Sequence, residues 1–154
     1  MEKKAENAGY SAEEIAKRWG IDLLKLEDEQ KKLGKNVLLK NAIDFELADS
    51  IAGCDVSFFG DKIIAAIVTL GRDMQVIEQQ YTLRKLEFPY IPGFRAYREL
   101  PAIIDCFNKL QEPFDVIFFE GQGIAHPRRL GIASHFGVAV QKPSIGVAQN
   151  LLVG

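Results

Sequence analysis

No stretch of this sequence stays apolar for the roughly 20 residues that a membrane-spanning helix needs, and the opening MEKKAENAGYSAEE is too polar for a signal peptide. A cytoplasmic protein is expected. Cysteine is scarce as well: the only two, Cys54 and Cys106, lack the CxxC spacing of a zinc site or a redox pair. Both are expected to be buried free thiols, one in a strand and one in a helix. A surplus of positive charge is also missing, with 19 Lys and Arg against 21 Asp and Glu and a formal net charge of −2. Any grip on nucleic acid must then come from a local patch. What is present, 47% hydrophobic and 26% charged residues in a chain of 154, suits one domain with a core.

Residues 114–140, FDVIFFEGQGIAHPRRLGIASHFGVAV, organise the rest and read as a strand, a glycine turn and a helix in succession. Residues 115–119 are almost wholly apolar between Pro113 and Gly121, which is how a short strand buried on both faces is written. It stops on a carboxylate, Glu120. A side chain at the C-terminal edge of a central strand, next to a Gly-Gln-Gly turn, lies where open α/β sheets place their chemistry. The bland alternative is an ordinary strand-turn-helix unit with an incidental Glu. The helix is expected to open near Pro127, and Gly131, Ser134 and Gly137, spaced by three and nearly without bulk, let it lie close to the sheet. Two familiar glycine motifs fail: a dinucleotide fingerprint needs glycine where His126 stands, and a phosphate loop needs a Gly-Lys-Ser/Thr that is absent. A strand-end carboxylate with His126, Arg128 and Arg129 close behind suits a metal and a phosphate better than a nucleotide cofactor.

Taken from the start, the chain has a fraying tip and then an amphipathic helix opened by the capping-box pair Ser11 and Glu14, with Gly20 as a point of interruption. The alternating charges of residues 25–32 read as that helix's solvated face. Residues 1–50 thus form an N-terminal helical segment packed on a core domain of residues 51–154. Strands at 51–59, 63–70 and 74–86, joined by short turns, form an antiparallel meander. A helix, the 115–119 strand, a second helix and a last strand at 144–148 complete a β-β-β-α-β-α-β order. Pro101 is expected to divide a short turn at 94–99 from a longer helix at 101–110.

The run GQGIAHPRRLGIASHFGV (121–138) resembles the signature of the endonuclease V family of deaminated-base repair nucleases. IAGCDVSF (51–58) and FPYIPGFRAYRE (88–99) resemble two further family blocks, in the family's order and approximate spacing. Together they span roughly two thirds of the chain, residues 51–147, while the first fifty residues match only loosely. The resemblance implies an α/β, RNase H-like fold, which the element order reaches independently: a mixed five-stranded sheet, three strands antiparallel and the rest parallel, flanked by helices. It also implies an endonuclease, dependent on Mg2+ or Mn2+, that cuts DNA or RNA containing hypoxanthine (inosine) at the second phosphodiester bond 3′ to the lesion. A monomer is expected.

Two-metal phosphodiester chemistry needs several carboxylates at one point. Asp55, within the apolar run 51–56, would be a poorly solvated charge unless it bound a metal or formed a structural ion pair. The sheet order puts its strand beside that of Glu120, so Asp55 and Glu120 form the expected metal site. The family pattern adds Glu99 to the catalytic set, although a Glu at a helix end is usually just solvated. Pro89-Tyr90-Ile91-Pro92 is a stiff loop tipped with a ring and flanked by Arg84, Lys85, Arg95 and Arg98, the combination that opens a base stack beside phosphate-binding cations. Tyr90 is the wedge candidate, against the alternative of a loop that merely closes a strand. Gly93, Gly121 and His126 match family positions that line the pocket for the flipped base, and Arg128 completes the substrate-binding set.

Two residues depart from the family pattern. Glu120 replaces the usual Asp, and Gln149 replaces a lysine expected near the scissile phosphate. Both are expected to weaken catalysis and to favour Mn2+ over Mg2+. The sequence stops at Gly154 where family domains continue with a further ligand, so a domain lacking the family's C-terminal elements is expected. The competing class is a homologue that binds inosine-containing strands without cutting them.

Overall fold

The computed structural model describes residues 9–150 together with Leu152 and Val153; the expected fraying tip lies mostly outside them. Five strands form one sheet in the order β3-β2-β1-β4-β5. They are β1 (Ser50–Phe59), β2 (Lys62–Gly71), β3 (Val76–Lys85), β4 (Val116–Glu120) and β5 (Ser144–Val147). β1, β2 and β3 pair antiparallel, whereas β4 runs parallel to both β1 and β5. The expected mixed sheet and element order are therefore those of the molecule. No helix among the described residues is long and apolar enough to cross a membrane.

Alternation along β1 and β2 decides which face is covered. Ala52, Cys54, Ile63, Ala65 and Ile67 turn to one side and are buried there against α3 (Arg95–Phe107) and α4 (Ile132–Val140). A period of two puts their neighbours on the other face, and Asp55 among these is exposed. The expectation of a poorly solvated Asp55 thus fails, because an apolar run in a strand buries alternate residues only. Phe119 and Phe136 meet at 4.9 Å between ring centres and join β4 to α4. Cys54 and Cys106 are free and buried as expected, and the Cys106 thiol donates to the Gln80 carbonyl at 3.3 Å.

Four local expectations need correction. The N-terminal segment is two helices, α1 (Ala12–Trp19) and α2 (Leu23–Gly34), because Gly20 takes a left-handed φ of 67° and its N–H closes α1. The capping box at Ser11 and Glu14 forms as read, with the Glu14 carboxylate accepting the Ser11 amide at 2.7 Å. Gln30, counted within a solvated face, is 1% exposed. Pro101 lies inside a continuous α3 instead of dividing it; the ring removes one helical hydrogen bond, while Ala102, Ile103 and Cys106 after it are buried in the core. Finally, α4 starts at Ile132 and not near Pro127, since Arg129 adopts a left-handed φ of 56° that no α-helix can pass through. The intervening loop folds back on itself, the Gly131 amide donating to the Gly123 carbonyl at 2.8 Å. A Cβ at residue 131 would stand 2.2 Å from the Gln122 carbonyl oxygen, so only glycine permits the fold-back.

Candidate active site

A cavity of about 330 Å³ opens where the C-terminal ends of β4 and β5 meet the loop before α3 and the loop before α4. Tyr90, Pro92, Gly93, Gly121, Gln122 and His126 line it, with Arg95, Glu120 and Gln149 also in its wall. Two corners of this cavity are built differently.

The first corner centres on the carbonyl of Gly93, which sits at a φ of 80°. This single oxygen accepts from His126 Nε2 at 3.1 Å, from Gln30 Nε2 at 3.1 Å and from Arg128 Nη2 at 2.8 Å. The Arg128 amide donates to His126 Nδ1 at 3.2 Å. With Nδ1 accepting, the ring proton is assigned to Nε2, facing Gly93, and the imidazole is neutral. Burial, followed by the charge of Arg128, holds the His126 pKa below its ordinary value, which agrees with that assignment. Arg128 also donates to the Gln30 side-chain oxygen and lies 4.6 Å above the Phe94 ring. Helix α2 is therefore part of the cavity's support. Tyr97 fastens it further, its hydroxyl donating to Glu29 at 3.1 Å while its ring stacks on Phe88 at 5.8 Å.

The second corner is acidic. Glu99 is 2% exposed and points inward from α3, whereas the expectation placed it at an exposed helix end. The continuity of α3 through Pro101 explains the difference, because it makes residue 99 interior to the helix. Arg95, one turn earlier, donates from Nε to Glu99 at 2.8 Å and from Nη2 to Glu120 at 2.8 Å. One guanidinium thus ties α3 to the end of β4. Asp55 is near: β1 and β4 are in register to Cys54 and Phe119, and the next residue on each strand is Asp55 and Glu120. Burial pushes the pKa of the neighbouring Cys54 thiol up, with smaller contributions from the charges of Cys106, Asp55 and Glu99. Gly121, at a φ of 140°, makes the room: a Cβ there would stand 2.9 Å from Arg95 Nη1 and 2.8 Å from Ile132 Cγ2.

The donor set suits a hard divalent cation, since all three side chains end in carboxylate oxygens. The arrangement is less complete. Among the described residues no three His, Cys, Asp or Glu stand together closely enough to hold an ion, and two of these carboxylates are closed on Arg95.

Of the expected substrate-binding residues, Tyr90, Pro92, Gly93, Gly121 and His126 line the cavity. Pro89 is buried, and Ile91 is completely buried in a small core with Ile15, Ala16 and Phe94. Arg98 is buried too, donating to the Phe88 carbonyl at 3.1 Å with its guanidinium 4.6 Å above the Phe58 ring. Arg84, expected to face phosphate, is held by Asp105 at 2.8 Å and Glu87 at 2.9 Å. Sequence reasoning missed Gln30 and the bridging role of Arg95. The i, i+4 spacing of Arg95 and Glu99 on one helix was the available signal for the second. For the first, it was an uncharged residue in the middle of a charge run.

A family model described as Endonuclease V matches residues 31–154. The chain is 51% identical over 107 residues to an Endonuclease V of Trichormus variabilis, covering 68% of this chain and 48% of that protein. It is 45% identical over 128 residues to one of Nostoc punctiforme, covering 81% of this chain and 58% of the other. Among solved structures, the Endonuclease V of Bacillus subtilis superposes with a TM-score of 0.80 at 29% identity, over 85% of this chain and 57% of that one. The Endonuclease V of Ciona intestinalis, solved with a 24mer DNA containing an inosine followed by a ribo-adenosine, gives a TM-score of 0.78 at 26% identity, over 84% of this chain and 59% of that one. The chain spans about half to three fifths of the length of these relatives.

Proposed function

Given that the chain belongs to the Endonuclease V family, we propose that its cavity receives a hypoxanthine base turned out of a DNA or RNA strand, and that the acidic corner serves cleavage of the strand's second phosphodiester bond on the 3′ side. The observation that carries this reading is the junction of the two corners. A cavity with a single oriented carbonyl and a neutral histidine lies directly against Glu120, and through Arg95 against Glu99.

Each part has a task. Tyr90 and Pro92, on the loop before α3, would fill the gap left in the stack. Gly93, Gly121 and Gln122 bring backbone and carboxamide groups within reach of a base edge, where donors and acceptors distinguish hypoxanthine from adenine. His126 is already committed to the Gly93 carbonyl and acts here as a positioning residue. Asp55, Glu99 and Glu120 would hold the divalent cation on which this family depends, either Mg2+ or Mn2+. Such an ion, when bound, supplies Lewis-acid stabilisation of the phosphate and a more acidic water. Glu99 and Glu120 themselves fix the place of cutting relative to the base, because they stand on α3 and β4, elements that bound the cavity.

The test is incubation with Mn2+ of a strand carrying one inosine, with product lengths read on a sequencing gel. A single cut at the second bond 3′ to inosine is expected. Intact strands at micromolar protein, with folding verified, would contradict the proposal.

A further inference from the structure

We infer that Arg95 is an internal counter-cation that competes with the divalent ion for Glu99 and Glu120, so that loading the acidic corner requires its guanidinium to leave at least one of them. This rests on the metal-dependent reading above. The geometry is that of a two-pronged clamp: Nε reaches Glu99 and Nη2 reaches Glu120, each at 2.8 Å, and the two acids belong to different elements. A planar guanidinium can satisfy two separate carboxylates in this way; a single ammonium, being a compact point charge, serves one well at a time.

The competition follows from the oxygens. Carboxylate Oε1 of Glu99 and Oε2 of Glu120 are the atoms Arg95 occupies, and carboxylate oxygens are what a hard dication requires. Glu99 is nearly sealed from water, a setting in which a carboxylate needs a compensating positive charge. Arg95 supplies one such charge in the arrangement seen. A dication arriving at the same oxygens meets a fixed positive charge within bonding distance of its own ligands, which opposes it directly. The exchange has somewhere to go. Arg95 already lines the cavity and its side chain is 29% exposed, and glycine at 121 keeps the space around Nη1 open. A displaced guanidinium would therefore turn into the cavity wall rather than into the core.

Calorimetric titration of Mn2+ into the parent chain, Arg95→Met and Arg95→Lys tests this without any substrate. Arg95→Met is expected to bind Mn2+ at least tenfold more tightly than the parent, with Arg95→Lys in between. Equal or weaker binding by Arg95→Met would overturn the competition while leaving the metal reading intact. No Mn2+ binding by any of the three would overturn both. Should Arg95→Met fail to fold, Mg2+ titration of the parent followed by the Arg95 Nε–H resonance, assigned by its absence in Arg95→Lys, decides the matter. A resonance that moves as Mg2+ loads supports displacement; one that stays in place while Mg2+ binds overturns it.

Discussion

The two corners of the cavity hold their shape by different physics. Around Gly93, one carbonyl is fixed by three donors from three side chains, and the groups involved are backbone, carboxamide, a neutral imidazole and a guanidinium stacked on a ring. Around Glu99 and Glu120, shape depends on charge balance: two acids and one shared arginine, with Asp55 next to them. The first arrangement is pre-organised, because rearranging it would strand buried polar atoms. The second is exchangeable, since another cation can take the arginine's place. On the proposed function, recognition and cutting would thereby be separated within a few residues of sequence.

The largest expected effect breaks the charged corner. Glu99→Gln replaces a buried carboxylate while keeping its volume, and on the proposed function cleavage of an inosine strand should fall by at least about 10²–10³-fold, as for loss of a preorganised catalytic group. Single-turnover rates with Mn2+ check it; a rate within fivefold of the parent would remove Glu99 from the chemistry. Next comes the hinge between corners. Gly121→Ala forces a side chain onto a φ of 140° and against Ile132 and Arg95, which should cost about 2–4 kcal/mol of folding stability. A urea midpoint equal to that of the parent would show that the turn relaxes freely.

A smaller effect sharpens the recognition side. Tyr90→Ala should weaken binding to an inosine-containing duplex by about 1–3 kcal/mol, the worth of one stacked base, and weaken single-strand binding less. Equal losses on both would mean that Tyr90 merely packs. The smallest concerns pH. Burial is the main cause that holds the pKa of His126 and of His135 below the ordinary value. The unfolded chain then binds more protons than the folded one in the interval between the two values. Their contribution to stability is complete above the unfolded pKa of about 6.5 and is lost as pH falls from there toward the depressed folded values. Urea midpoints should drop between pH 7.5 and 5.5, and more shallowly after His135→Gln; a midpoint that His135→Gln leaves with the same pH slope would dismiss that histidine's part.

Much of this architecture is legible in the sequence. Alternation and turn residues placed the three antiparallel strands, the apolar run before Glu120 placed β4, and spacing placed β5. Helix ends were less legible, for a local reason in each case: the strained Arg129 and the fold-back at Gly131 delay α4, and core packing carries α3 through Pro101. Residues lining the cavity from loops were found because Gly93, Gly121 and His126 sit in recognisable motifs. Charge pairing was not found. Whether Arg84, Arg95, Arg98 or Arg128 faces a ligand or another part of the chain depends on contacts between residues 10 to 98 apart in sequence, which neither periodicity nor composition encodes.

The separation of the two corners is tested most directly by one titration of Asp55→Asn, an exposed substitution on β1 that lies outside the cavity lining. Its affinities for a strand with one inosine and for the same strand with adenosine are measured without added metal, next to those of the parent. The expected result is an unchanged preference for inosine in a variant that no longer cuts. A preference lost together with cleavage would show that base recognition depends on the acidic corner, and would contradict the account.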